Sequence, residues 1–267
     1  MIPCRVRAFR SALDPGLSDF PSSDVLVLAV VVDVLRATTT LVHAFAHGAR
    51  SAQAFASLDE ARAFASGRDV LLCGESGGLK PEDFDRGNSP SDLSSHVAGR
   101  DLVLATTNGA PALARTAGAA HQFVAAFVNV TAASDALGAI ARRNAGRACE
   151  VRLVGAGNAG VPAAEDDALV AVLAARLLAL PGFELEGEDP RPRCLAAGFD
   201  PGSGLLRGDL HAFLEGTDHG QTLASLGFAR DIRDAAQVDA FTRLPFGRGG
   251  TIGPGLDRSQ AVDIPLF

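Results

Sequence analysis

The sequence predicts an α/β protein, a three-layer α/β/α arrangement around a largely parallel or mixed central sheet, with a single domain over residues 1–267. Two observations predict it. Val- and Leu-rich runs alternate with helical patterns along the chain, and one run, "VLVLAVVVDV" at 25–34, is almost continuously apolar. Alternating strands and helices imply parallel pairing with helices on both faces, and continuous hydrophobicity marks a strand buried on both sides.

In chain order, strands are expected near 25–33, 51–55, 69–73, 101–106, 121–128 and 150–155, each a short apolar run. Helices are expected near 38–47, 58–66, 109–117, 131–144 and 163–180. From 181 the pattern loosens into "PGFELEGEDPRPRCLAAGFDPGSG", then helical stretches near 217–239 and a Gly/Pro-rich tail, "LPFGRGGTIGPG". The core motifs thus occupy 25–170, and a less regular C-terminal extension occupies 181–267. No internal repeat or low-complexity linker divides the chain.

Composition bounds the function. Hydrophobic residues make up 47% and charged residues 21%, ordinary for a globular protein. No run approaches the roughly 20 apolar residues of a membrane span, and "MIPCRVRAFRSALDP" lacks the apolar centre of a secretory signal, so a cytoplasmic location is expected. A formal net charge of −7 without a basic run argues against nucleic acid and leaves room for a local pocket for a small anion. Self-association into a homo-oligomer stays open. Cys4, Cys73, Cys149 and Cys194 are widely spaced and read as buried thiols. His43 and His47 share a helix face but lack a third zinc ligand. The chain has one lysine, Lys80, in its densest polar motif. A compact ammonium rather than a planar fork is wanted there.

Ligands of open α/β sheets bind beyond the carboxyl ends of the strands, and four polar loops fall there. In "DVLRATTT", Asp33 ends a buried strand and needs a cation, a hydrogen-bond network or a metal. Thr38, Thr39 and Thr40 begin a helix whose free amides suit an anion; a plain alternative has Thr38 capping the helix and Asp33 pairing with Arg36. "GESGGLKPEDFDRGNSPSD" is a long irregular loop in which Glu75, Asp85 and Lys80 supply hard oxygens and a point charge suited to magnesium and phosphate. "LATTNGAPALAR" offers Thr106, Thr107 and Asn108. In "VRLVGAGNAGVPAAEDDALV", Gly155, Gly157 and Gly160 spell the dinucleotide fingerprint. Its expected acidic partner is poorly provided by Glu184 or Glu186. Glu165, Asp166 and Asp167 would repel a pyrophosphate unless a cation intervened, which favours a metal-bearing loop over a nicotinamide site.

Together, "DVLRATTT", "GESGGLKPEDFDRGNSP", "TTNGAPAL", "FVNVTA" and "GAGNAGVPAAEDDALV" resemble, in order and approximate spacing, the 2-phosphosulfolactate phosphatase (ComB) family over roughly residues 25–170, with a weaker echo in "DIRDAAQVDAFTRLP". The resemblance implies a three-layer α/β/α fold and a Mg²⁺-dependent phosphatase that hydrolyses 2-phospho-3-sulfolactate to sulfolactate and phosphate, a step towards coenzyme M. It implies site residues Asp33, Arg36, Glu75, Lys80, Asp85, Asn88, Ser89, Thr107, Asn108, Asn129, Glu165 and Asp166. Within that set, Asp33, Glu75, Asp85, Glu165 and Asp166 are expected to hold Mg²⁺. Arg36 and Lys80, with the helix start at Thr38 and Thr39, are expected to neutralise the phosphoryl oxygens. Ser76 stands where the family has an arginine, Ala105 and Ala110 stand for threonines, and "AGNAG" departs from "AGTEG". If the missing arginine holds the sulfonate, another phosphorylated hydroxy acid is the substrate. Two other readings are an NAD(P)-dependent oxidoreductase using the glycine loop and a non-catalytic phospho-acid-binding protein.

Overall fold

The computed structural model describes residues 2–257, so the last ten positions of the predicted C-terminal extension lie outside the described residues. Ten strands form one sheet: β1 (Cys4–Phe9), β2 (Leu26–Val32), β3 (Ser51–Phe55), β4 (Leu71–Gly74), β5 (Asp101–Ala105), β6 (His121–Ala125), β7 (Cys149–Gly155), β8 (Phe183–Leu185), β9 (Arg243–Arg248) and β10 (Thr251–Asp257). Their spatial order is β4-β5-β3-β10-β9-β6-β2-β7-β1-β8. Two parallel blocks, β4-β5-β3 and β6-β2-β7-β1-β8, are joined by the antiparallel hairpin β9–β10. The Gly/Pro-rich tail is therefore sheet, placed between the blocks. Its glycines permit the tight turn and the irregular register between Gly253 and Leu256.

β2 is central and buried at every residue, as its continuous hydrophobicity requires. Val30 and Val32 face a cluster with Leu137 and Leu169, from α5 (Val130–Arg143) and α6 (Ala164–Leu178). Val31 faces the opposite cluster with Leu41 and Phe45 of α1 (Ala37–Ala46). Helices thus cover both faces. α2 (Leu58–Ala65), α3 (Pro90–Ser94) and α4 (Gly109–Arg115) serve the smaller block. α7 (Leu210–Gly216), α8 (Asp218–Ser225) and α9 (Ala229–Ala235) follow β8, and Leu214, Leu223 and Ile232 join the cluster containing α5 and α6.

The sheet curls, and the curl makes the site. β5 and β2 stand five places apart in the order, about 24 Å if the sheet were flat. Yet Gly109, just beyond β5, is so close to Asp33 that a Cβ added to it would lie 2.9 Å from the Asp33 carboxylate. The hairpin joins the two blocks over short ladders: β10 meets β3 over two registered pairs and β9 meets β6 over two more. α1 fills the hollow; every residue from Ala37 to Phe45 is buried. Among the described residues no helix is long and apolar enough to cross a membrane.

Candidate active site

Asp33 follows the last residue of β2 and is 5% exposed. The threonines after it fix its loop. Thr38 accepts the Asp33 N–H at 3.0 Å and donates to the Asp33 carbonyl at 2.9 Å, and Thr39 donates to the Val34 carbonyl at 2.7 Å. The Asp33 carboxylate takes the Ala37 amide at 3.2 Å, serving as acceptor for the first turn of α1. The Thr38 and Thr39 hydroxyls, expected to meet substrate, are thus engaged within the loop, and neither residue lines the cavity described below.

Glu75 follows β4, where a Cβ on Gly74 would meet the Ala105 carbonyl at 2.4 Å, so only glycine lets β4 run this close to β5. One Glu75 oxygen accepts the Thr107 amide at 3.1 Å and hydroxyl at 3.0 Å; the other accepts the Gly78 amide at 2.9 Å. Asp33, Arg36, Glu75, Asn88, Thr107 and Asn108 from the sequence-predicted set line one cavity of about 170 Å³. Asn88 brings a buried amide oxygen with no hydrogen-bond partner among the described residues.

The other expected residues are not brought to this cavity. Lys80 donates to the carbonyls of Pro81 at 3.0 Å and Phe84 at 2.6 Å, with Glu82 at 3.4 Å. The compact ammonium that the sequence asks for here gathers three carbonyls of its own loop on one point. Asp85 is exposed and accepts the Leu72 amide at 2.8 Å. Asn129 is buried, holding the Ala126 amide at 2.9 Å and the Arg243 carbonyl at 3.0 Å. Ser89 donates to Asp231 at 2.6 Å. Asp166 bridges the Val34 amide at 2.9 Å and the Gly157 amide at 3.0 Å, tying the ends of β2 and β7 together. The Gly157 amide, offered by the glycine fingerprint to a pyrophosphate, already has a carboxylate on it. Among the described residues no group of three or more His, Cys, Asp or Glu side chains is arranged to hold a metal ion; of the five carboxylates expected to hold magnesium, Asp33 and Glu75 line this cavity, and Asp85, Glu165 and Asp166 do not.

Comparison with known proteins supplies the family of the chain that holds this cavity. The family model for 2-phosphosulpholactate phosphatase matches residues 17–250. A protein named "Probable 2-phosphosulfolactate phosphatase" from Deinococcus radiodurans is 37% identical over 241 residues, covering 89% of this chain and 92% of its own. One of the same name from Gloeobacter violaceus is 38% identical, covering 81% and 86%, and one from Synechococcus sp. is 37% identical, covering 84% and 90%. The chain belongs to the 2-phosphosulfolactate phosphatase family. It is accordingly an enzyme, of the phosphoric monoester hydrolase class.

Two further residues tied to this cavity come from the C-terminal helices: His219, which the sequence reading does not single out, and Asp231, which opens the echo segment "DIRDAAQVDAFTRLP" but is given no role there. His219, in the first turn of α8, lines the cavity, with its Nδ1 3.4 Å from Glu165. Asp231, in α9, is 1% exposed and binds Arg36 at 2.8 Å. "TDHGQT" shows a histidine beside a helix cap, which is common on any surface. Its partner lies more than fifty residues back in the chain, so no local pattern marks it.

The phosphatase cavity is electrostatically tense. Burial, with Glu75 and Glu165 nearby, pushes the Asp33 carboxyl up to about 6, against the pull of His219 and the Ala37 amide. Burial and the neighbouring Asp33 and Glu165 raise the Asp166 carboxyl well above its ordinary value. Burial works to lower His219, but its bond to Glu165 and the charge of Asp33 outweigh that and raise it.

Proposed function

We propose that this chain is a Mg²⁺-dependent phosphatase that hydrolyses the phosphate ester of 2-phospho-3-sulfolactate, or of a related phosphorylated hydroxy acid, to the free hydroxyl and phosphate. The observation that carries the reading is the meeting of Asp33, Glu75, Arg36 and His219 around one cavity in a chain of this family. Phosphoryl transfer asks a protein mainly for positioning and charge neutralisation, and these side chains offer both.

Asp33 and Glu75, with the unpartnered amide oxygen of Asn88, are hard donors that suit magnesium beside water and phosphate oxygens. When bound, the ion would supply the positive charge that a cavity with two carboxylates otherwise lacks. Arg36 carries the permanent cation of the cavity wall and faces the phosphoryl oxygens. The Thr107 amide and hydroxyl are spent on Glu75, which holds that carboxylate in one orientation. With Glu165 on Nδ1 of His219, Nε2 is the nitrogen left to donate a proton to the departing ester oxygen. The attacking oxygen belongs to water or to Asp33 itself, and an acid-quenched, labelled phosphoenzyme separates the two routes.

A second cavity opens beside the first and shares Asn158 and His219 with it. The organic part of the ester extends towards it from the phosphoryl group. Ser76 is exposed and outside both cavity walls. The test is phosphate release from 2-phospho-3-sulfolactate with Mg²⁺ and again with EDTA, alongside other phosphorylated hydroxy acids. Mg²⁺-dependent release is the expected result. No release from any of them would end the reading, and undiminished release in EDTA would end its magnesium part.

A further inference from the structure

The geometry points to Asp231 as the residue that positions Arg36 for the phosphoryl group, an inference that rests on the phosphatase reading above. Arg36 is followed directly by α1, and its guanidinium is fixed by three contacts from two other segments of the chain, the loop at Gly78 and the start of α9. NH1 donates to Asp231 Oδ2 at 2.8 Å, and NH2 donates to the Gly78 carbonyl at 2.7 Å. The guanidinium carbon lies 4.4 Å from the centroid of the Phe228 ring, which covers one of its faces. A guanidinium has five N–H groups, so two such bonds fix its plane without exhausting its donors.

The anchor is itself anchored. Asp231 Oδ1 accepts the Ser89 hydroxyl at 2.6 Å, so both carboxylate oxygens are committed and the group is not free to turn. The two side chains of the pair are 3% and 2% exposed. Gly78 completes the frame, because its N–H bonds Glu75 while its carbonyl takes Arg36. The anionic and cationic sides of the cavity are thereby set at a fixed spacing. A site selected only to attract an anion would leave Arg36 unpaired. Here part of its charge is offset by a carboxylate, and what the pairing supplies is direction. Donors held in place before the substrate arrives need no reordering as charge develops on the phosphoryl oxygens.

A plain strap that ties α9 to the core would use the same contacts, so the test separates anchoring from both charge and stability. Asp231→Asn and Asp231→Ala remove the same charge, but only asparagine can still accept from Arg36. With 2-phospho-3-sulfolactate and Mg²⁺, Asp231→Asn is expected within about threefold of wild-type kcat, and Asp231→Ala on the order of tenfold or more below it. Arg36→Lys combined with Asp231→Ala should be no slower than Arg36→Lys alone, since both changes strike one interaction. Equal kcat for the folded Asn and Ala variants, or additive losses with Arg36→Lys, would overturn the inference.

Binding of inorganic phosphate, followed by calorimetry in the same variants, keeps this result apart from the choice of substrate. Phosphate bound more weakly by Asp231→Ala than by Asp231→Asn upholds the positioning role even if 2-phospho-3-sulfolactate is not cleaved. Equal affinities, or no phosphate binding to the wild type, defeat it. Should Asp231→Ala fail to fold, Ser89→Ala carries the test: releasing one carboxylate oxygen is expected to lower kcat about threefold, and an unchanged kcat would count against the role.

Discussion

Glu165, in the wall of the second cavity, meets His219, which lines both cavities, at 3.4 Å, although 54 positions separate them in the chain. Glu165 is buried, while the His219 side chain is 22% exposed and reaches the space where an ester would sit. A carboxylate behind an imidazole fixes its tautomer and favours its protonated form. If His219 protonates the leaving oxygen, His219→Gln should lower kcat on an alkyl phosphate by about 10²-fold. The loss should shrink with 4-nitrophenyl phosphate, whose leaving group needs no proton. An equal loss on both esters would remove His219 from that role.

Asp33 is expected to show a conflict between activity and stability. Its ordinary value of 3.8 is raised to about 6, chiefly by burial. The folded state therefore holds this proton more tightly than the unfolded chain does. Its contribution to stability is fully present below the unfolded value and is lost as the pH rises through the folded one. In EDTA, Asp33→Asn should match wild-type stability near pH 4. At pH 7 it should exceed it, by up to roughly 3 kcal/mol at 1.36 kcal/mol per unit. Phosphatase activity should fall at least about 10²-fold. Urea unfolding of both proteins at the two pH values measures the crossover, and a variant no more stable at pH 7 would refute it.

Lys80 gives the opposite expectation. Its three carbonyl partners belong to the loop after β4, away from the cavity. Lys80→Met should leave kcat within about threefold while lowering stability by about 1–2 kcal/mol, the cost of losing charged hydrogen bonds at a partly exposed site. A large loss of kcat in a folded variant would return Lys80 to the site.

These cases show what the sequence can and cannot convey. β2 was legible because a strand buried on both faces without paired charges must be apolar throughout, whereas β7, equally buried, carries Glu150 and Arg152 as an ion pair within its apolar run. β9 and β10 were not, because glycines and prolines disguise a hairpin whose partners are strands formed near residues 52 and 122. At the site, Asp33 and Glu75 were legible since a charge at a strand end needs an explanation. Lys80 and Asn129 carry the same signal for another reason, as each holds backbone groups of its loop: Lys80 three carbonyls, Asn129 the Ala126 amide and the Arg243 carbonyl. His219 was silent, and Asp231 stood in the echo segment "DIRDAAQVDAFTRLP" without a role, because the meaning of each lies in a distant partner, Glu165 or Arg36.

The approach of Gly109 to Asp33 supplies the last prediction. Gly109 opens α4, and its amide donates to Thr106 Oγ1 at 3.1 Å. An added Cβ would stand 2.9 Å from Asp33 Oδ2 and 2.9 Å from the Ala37 Cβ, so the two blocks of the sheet meet here with no room for a methyl group. The Ala37 side cannot yield easily, because α1 is buried along nearly its whole length. The carboxylate must move instead. Gly109→Ala is expected to stay folded, at a cost of about 1–3 kcal/mol for overpacking. It should lose on the order of 10²-fold in kcat, since about 1 Å of displacement can cost that much. Placing the same change at Gly146, where a Cβ would meet nothing within 4 Å, controls for glycine loss in general. Wild-type kcat in Gly109→Ala would mean that the Asp33 carboxylate is not held at the position where the reaction needs it.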